Sequence, residues 1–102
     1  MDVFRTNPEL FIEKSEILKA LAHPQRLCIV KMLCEKESAS VSDMQTCLDE
    51  AQPTVSQHLS KLRLARIIEG KRDGNSIYYS ISDEETRKRI RSIIENLFEE
   101  QP

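Results

Sequence analysis

Thr54, Gln57, Ser60 and Lys61 stand at positions i, i+3, i+6 and i+7 of one short stretch, a spacing that gathers their side chains on one side of an α-helix. Gln52 lies at the start of that stretch and Ser56 on its flank. The set offers hydrogen-bond donors and acceptors plus one cation, with no nucleophile set beside a base. The chemistry it supports is recognition. Gln pairs with adenine, and Ser or Thr with several base edges, in the major groove of DNA. A solvent-facing helix of this length ordinarily carries Glu, Lys and Ala outside, because those residues favour helix at little cost in water. Short polar residues compete with the helix backbone for hydrogen bonds, so their use here marks a surface that approaches a partner closely. The plainer alternative is a polar surface helix with no partner.

Positioning these groups requires a core behind them. Val55, Leu59 and Leu62 lie together on the opposite side of the same stretch, and Pro53 suits a first helical position. Upstream, Ser42 and Asp43 are expected to cap a short helix holding Met44, Cys47 and Leu48, and Asp49-Glu50-Ala51 turns the chain. Two short helices around a tight turn predict a helix-turn-helix over about residues 42–65, its second helix entering the groove. Residues 8–21 predict an earlier helix, with Asn7 as cap, Pro8 as first position, and Leu10, Ile17, Leu18 and Leu21 facing inward. Phe4, Phe11 and Ile12 fall off that stripe and have two readings: subunit contact, or cover for their own core. Ala22-His23-Pro24-Gln25 interrupts the helix, with His23 as a local cap. Leu27, Val30, Leu33 and Cys34, flanked by Ile29, then form the buried side of a second helix to about residue 36, with Arg26 near its start.

Beyond residue 66 the pattern turns to strands. Ile67–Arg72 and Ser76–Ile81 are β-branched and aromatic runs joined by Asp73-Gly74-Asn75, a hairpin signal. A hairpin after such a helix reads as a wing over about residues 67–81, offering Lys71, Arg72 and Asn75 to phosphates. Ile77, Tyr79 and Ile81 alternate to one face and Tyr78 to the other, where it meets either nucleic acid or its own strand. Ser82 or Asp83 caps a last helix over about residues 83–99, with Glu84 and Glu85 favouring its N-terminus. Its stripe, Ile90, Ile93, Ile94, Leu97 and Phe98, reads as half of a dimer interface or as closure of the core.

Composition narrows the function classes. A chain of 102 residues with 39% hydrophobic content allows about one domain with a modest core. No run of 18 apolar residues occurs, and Met1-Asp2-Val3-Phe4-Arg5 has no leader pattern. A cytoplasmic protein with no membrane partner is expected. The net charge of −2 is unevenly spread: residues 1–50 hold 6 Lys/Arg against 9 Asp/Glu, residues 51–82 hold 5 against 2, and residues 83–102 hold 4 against 6. The basic segment is therefore the one with the polar helix and wing, as a phosphate-binding face requires. Cys28, Cys34 and Cys47 are odd in number and irregularly spaced, which argues for small buried residues over a disulfide framework. With two glycines and neither Cys-x-x-Cys nor His-Glu-x-x-His, no phosphate loop, catalytic site, metal site or cofactor is expected.

Leu18-Lys-Ala-Leu-Ala-His-Pro-Gln-Arg-Leu27, Gln52-Pro-Thr-Val-Ser-Gln-His-Leu-Ser-Lys-Leu-Arg63 and Gly70-Lys-Arg-Asp-Gly-Asn-Ser-Ile-Tyr-Tyr-Ser-Ile81 together resemble the ArsR/SmtB family over nearly the whole chain. The resemblance implies a mainly α winged helix-turn-helix with a small β-hairpin, one domain over residues 1–102. It implies a homodimeric repressor that reads a palindromic double-stranded DNA operator and leaves it when an inducer binds. Thr54, Ser56, Gln57 and His58 would meet the major groove, joined by Gln52, Ser60 and Lys61 of the polar face, with Arg72 and Asn75 at the wing; for His58, structural capping of the helix-turn-helix is an equal reading. The first and last helices would form the dimer interface, through Phe11, Ile90, Ile94, Leu97 and Phe98.

Several positions depart from the family pattern. Ser40-Val41-Ser42 stands where the family's thiolate metal site has Cys-x-Cys, and hydroxyls are poor ligands for soft metals. The family's other metal site corresponds to Asp83, Glu85, Asn96 and Glu99, which include no histidine and leave at most a weak hard-cation site. Relatives that sense oxidants pair a cysteine of the second helix with one of the last, which here has none; Cys28, Cys34 and Cys47 are the remaining thiol-sensor candidates. Ala51 replaces the family's Ser or Thr cap. The acidic total charge, with Phe4 and Phe11, keeps an alternative open: a winged-helix protein-interaction module without specific DNA binding.

Overall fold

The computed structural model describes residues 3–99. Met1 and Asp2, part of the segment read above for a leader, lie outside them, as do residues 100–102. Helix α1 (Pro8–Leu21) begins on proline's fixed φ, since Asn7 precedes it without a side-chain capping bond. Helix α2 (Pro24–Glu35) has the local cap expected: His23 Nδ1 accepts from the Gln25 N–H at 3.1 Å. Next to that cap, buried Arg26 donates from Nε to the Ala20 carbonyl at 2.6 Å. A cation at the end of α1 meets carbonyls that have no helical partner, which is why the core tolerates it.

Only the last turn of α1 reaches the core, through Ile17, Ala20 and Leu21. Leu18, expected on the inner stripe, is 57% exposed, because α1 leans on α2 and α4 along the neighbouring face. The centre of the domain is α2, whose Ile29, Val30 and Leu33 are fully buried against Met44, Val55, Leu59, Leu62 and Ile67.

The polar connector after α2 hides a strand. Residues Ala39–Ser40 form β1, pairing antiparallel with Tyr79 and Tyr78. Two residues are too few for a periodic signal. Ser40 then caps α3 (Val41–Leu48), accepting from the Asp43 N–H at 3.1 Å while its own N–H donates to Asp43 Oδ2 at 3.0 Å. This reciprocal box moves the cap from Ser42 to Ser40 and makes Asp43 its third-position partner.

Helix α4 (Gln52–Leu64) starts one residue ahead of Pro53, after Ala51, whose methyl caps nothing. It ends on a reciprocal pair of bonds: Arg66 N–H to the Arg63 carbonyl at 2.9 Å, and Ile67 N–H to the Leu62 carbonyl at 3.1 Å. Arg66 has φ +61°, a left-handed conformation that glycine ordinarily supplies at this place. Arg66→Gly is expected to raise stability by roughly 0.5–1 kcal/mol, the backbone relief less glycine's larger unfolded entropy. A thermal melt reads it, and a lower Tm would show that the arginine side chain itself holds the turn.

Strands β2 (Ile68–Asp73) and β3 (Ser76–Ile81) form the wing, and the sheet runs β1-β3-β2. Its turn is Gly74-Asn75, with φ +64° at Gly74 alone, the first-position glycine of a type II′ hairpin. At Gly70 a β-carbon would stand 3.0 Å from Tyr79 Cε1, so its absence lets the Tyr79 ring lie across β2 and into the core. Asp83 caps α5 (Glu84–Phe98), accepting from the Thr86 N–H at 2.7 Å. From α5, Arg87 donates to the carbonyls of Leu33 and Cys34 at 3.0 and 3.1 Å, and Arg91 to that of Cys34 at 2.7 Å. The open end of α2 is thus closed by two guanidinium groups.

Candidate nucleic-acid interface

Helix α4 sorts its residues by periodicity. Val55, Leu59 and Leu62 are buried, while Gln52, Gln57, Ser60 and Lys61 are exposed and Thr54 and Ser56 half-buried. Gln52 Nε2 donates to Ser56 Oγ at 2.6 Å, one turn along, which orders the first turn of the polar face. Lys61 and Arg63 lie in the last turn, where cations meet the helix's free carbonyls and remain available to phosphate. On the wing Lys71, Arg72 and Asn75 are exposed. The structure thus brings Gln57, Ser60 and Lys61 to one exposed helix face and puts Arg72 and Asn75 at the hairpin tip. Arg63 is a further exposed cation, in the same last turn as Lys61 but two residues on and so on another side of the helix.

His58, of its two readings, fits the structural one rather than the groove contact. It is 8% exposed and turned inward, with Nε2 2.8 Å from Gln25 Oε1 and its ring centroid 4.5 Å from that of His23. The reason is its phase: Val55, His58, Leu59 and Leu62 fall at i, i+3, i+4 and i+7, so His58 belongs to the buried stripe. Gln25 also donates from Nε2 to Glu50 Oε2 at 3.0 Å.

Burial holds His58 below the ordinary histidine value of 6.5, and the nearby Arg26 and Lys61 cations add to this against Glu50. The Gln25 amide, followed by the Ala51 N–H, keeps Glu50 below its ordinary 4.5. For His58 the unfolded chain binds the proton more readily, so its contribution is whole above pH 6.5 and shrinks as pH falls toward the lowered folded value. Glu50, Asp43 and Asp83, all lowered by hydrogen bonds, lose their contributions further into acid. Urea midpoints are therefore expected to decline in two stages from about pH 8 to about pH 3, the first stage in the histidine range. A midpoint flat down to about pH 5 would contradict the environment described for His58.

Among the described residues one pair of thiols, Cys28 and Cys47, comes together, and the carboxylates gather no ligating set. Cys34 is buried, Cys28 half-buried and Cys47 exposed. Burial pushes the Cys28 thiol up, as does the Cys47 thiol beside it across α2 and α3. Burial also pushes Cys34 up, against the pull of Arg87 and Arg91. Raised thiols are weak nucleophiles at neutral pH. Asp83 is engaged with Thr86, Glu85 with Arg89 at 2.7 Å, and Asn96 with the Ser92 carbonyl. Glu99 follows at the far end of α5, about 24 Å from Asp83 along the helix. Among the described residues no three His, Cys, Asp or Glu side chains converge on one point.

Apolar residues of α1 and α5 divide between core and surface. Ile90 and Ile94, expected at a subunit contact, are 2% and 4% exposed and pack into their own core, on the side of α5 facing α2. Phe11, Ile12, Leu18, Leu97 and Phe98 remain exposed, Leu97 at 66%. Among the described residues no helix is long and apolar enough to cross a membrane.

Comparison with known proteins places this geometry. Residues 23–69, from the α2 cap into the wing, match the model of the bacterial regulatory protein, arsR family. The chain is 41% identical over 71 residues to the transcriptional repressor PagR of Bacillus anthracis, a match covering 70% of this chain and 71% of PagR. The PagR crystal structure aligns with TM-score 0.71 and 35% identity over 83% of this chain and 97% of that one. With the HTH-type transcriptional regulator KmtR of Mycobacterium tuberculosis it shares 35% identity over 75 residues, 74% of this chain, spanning 57% of KmtR. The structure of the transcriptional repressor BigR from Xylella fastidiosa aligns with TM-score 0.77 and 28% identity, covering 98% of this chain and 100% of that one. The chain belongs to the arsR family of bacterial regulatory proteins: it is a transcriptional regulator built on a winged helix-turn-helix, not an enzyme.

Proposed function

We propose that the protein is a homodimeric repressor whose two α4 helices read the half-sites of a palindromic operator, and that an inducer releases it. The observation that carries this reading is the division of α4. Val55, Leu59 and Leu62 are buried, while Gln57, Ser60 and Lys61 are exposed and, among the described residues, have no side-chain hydrogen-bond partner. Short polar side chains on a firmly docked helix can enter the major groove, and Lys71, Arg72 and Asn75 can flank them along the backbone. Two-fold symmetry supplies the second helix, and the exposed apolar residues of α1 and α5 supply the contact that creates it.

The inducer would act without thiolate coordination at α3. Ser40, in the place of a family cysteine, already uses its hydroxyl to cap Asp43. The decisive test is an anisotropy titration of the reduced protein against the duplex upstream of its own gene, beside a scrambled duplex, at two salt concentrations. Tight, selective and salt-sensitive binding supports the repressor reading. Weak and equal binding to both duplexes counts against it, in favour of a protein partner.

A further inference from the structure

Gln25 lies on α2, away from the face that α4 presents, yet it joins three other segments. Its Oε1 is 2.8 Å from His58 Nε2, its Nε2 donates to Glu50 Oε2 at 3.0 Å, and its backbone N–H donates to His23 Nδ1 at 3.1 Å. The other Glu50 oxygen accepts from the Ala51 N–H at 3.3 Å, immediately before α4. The His23 and His58 rings lie 4.5 Å apart at an angle of 49°. A single side chain therefore ties the middle of α4 to the turn that starts it.

The hydrogen positions follow from what each group can donate. An ionised carboxylate only accepts, so Gln25 turns its NH₂ toward Glu50 and its carbonyl oxygen toward His58. His58 must then donate from Nε2, which fixes its neutral form as the Nε2–H tautomer with Nδ1 bare. A flipped amide would set oxygen against oxygen at Glu50 and leave the Ala51 side of the turn as its only donor. The arrangement has one satisfied state.

That state matters because the start of α4 has no side-chain cap, the Ala51 methyl offering no acceptor to the first turn. Gln57, which this structure places outward, is the sequence neighbour of inward His58. We propose that Gln25 is a positioning residue for DNA reading: through Glu50 and His58 it fixes the rotation and depth at which α4 presents Gln57. The proposal rests on the reading of α4 as the helix that meets DNA.

Three variants test it. Gln25→Glu keeps the acceptor for His58 but sets a second carboxylate against Glu50. Glu50→Gln keeps a neutral bond to Gln25. The two together restore a single complementary set, with residue 25 accepting from both His58 and residue 50, at unchanged net charge. Anisotropy is measured against the best duplex selected from a randomised pool and against a random duplex. Gln25→Glu is expected to reduce the preference for the selected duplex about tenfold, and the double variant to recover it to within about twofold. The added charge alone would weaken both duplexes alike, so the ratio isolates the positioning effect.

Two readings on the free protein need no DNA. Nitrogen NMR should find the Nε2–H tautomer at His58, and hydrogen exchange of the amides of residues 55–59 should quicken in Gln25→Glu and slow again in the double variant. Equal losses on both duplexes, a double variant that melts normally but stays impaired, or an Nδ1–H tautomer would each overturn the proposal. If the parent protein prefers no duplex, the DNA reading fails by itself. The exchange and tautomer measurements then decide whether the network holds α4.

Discussion

Replacing Gln57 by alanine is expected to collapse the preference for the operator while leaving binding to random DNA almost unchanged. Gln57 is exposed on the polar face of α4, beside residues that anchor the helix to its core. A bidentate contact from Gln to adenine gives about 1–3 kcal/mol of discrimination, and a two-fold dimer makes it twice, so about 2–6 kcal/mol is at stake. At about 1.4 kcal/mol per decade the specificity ratio should fall at least thirtyfold or so. The side chain is neutral, so the salt dependence of binding should stay where it was. Arg72→Ala is the contrasting case: it should weaken selected and random duplexes alike and lower the salt slope by about 1 for each phosphate no longer neutralised. Competition titrations at two salt concentrations separate the two patterns. Equal losses on both duplexes for Gln57→Ala would remove α4 from the role assigned to it.

The second large effect is expected at the α1 and α5 surface. Leu97→Glu, at a site 66% exposed, should leave the isolated domain folded and break the proposed dimer. Burying a leucine side chain contributes about 1.5–3 kcal/mol, the two-fold axis doubles it, and a buried glutamate adds desolvation cost. The dimer dissociation constant should rise a hundredfold or more, about 3 kcal/mol, measured by sedimentation equilibrium. Ile94→Glu provides the internal contrast. With Ile94 only 4% exposed in its own core, that variant should lose its melting transition rather than its partner. A Leu97→Glu protein that stays dimeric would move the interface away from α5.

Much of this arrangement is legible in the residues alone. Helix α1 falls on residues 8–21 as its apolar spacing and Pro8 predict, and the Val55, Leu59 and Leu62 stripe of α4 is buried. The hairpin is announced by Asp73-Gly74-Asn75 between β-branched runs, and Asp73 proves to end the first strand. What escapes has physical reasons. Strand β1 is two residues long and has no period to detect. His58 and Arg26 are buried polar residues, each at a place in an i, i+3, i+4, i+7 stripe that an aliphatic residue usually fills. Their partners, Gln25 at 33 residues' separation and the Ala20 carbonyl at the end of another helix, are set by tertiary packing. The last helix misleads in the opposite way: its five apolar residues make one continuous stripe, and nothing in that spacing tells that Ile90 and Ile94 are covered while Leu97 is not.

The arginines that close α2 also set an order on assembly. The end of α2 waits for donors that lie 54 and 57 residues further along the chain, whereas α3 and α4 are sequence neighbours joined by a three-residue turn. Contacts close in sequence form early, and those that close long loops form late. On a ribosome, the helix-turn-helix can therefore collapse while α5 is still unmade, with the last carbonyls of α2 open to water. Arrival of Arg87 and Arg91 is then the step that completes the domain. The same helix brings Leu97 and Phe98, so the surface proposed for pairing with a second copy emerges only once α5 has been made.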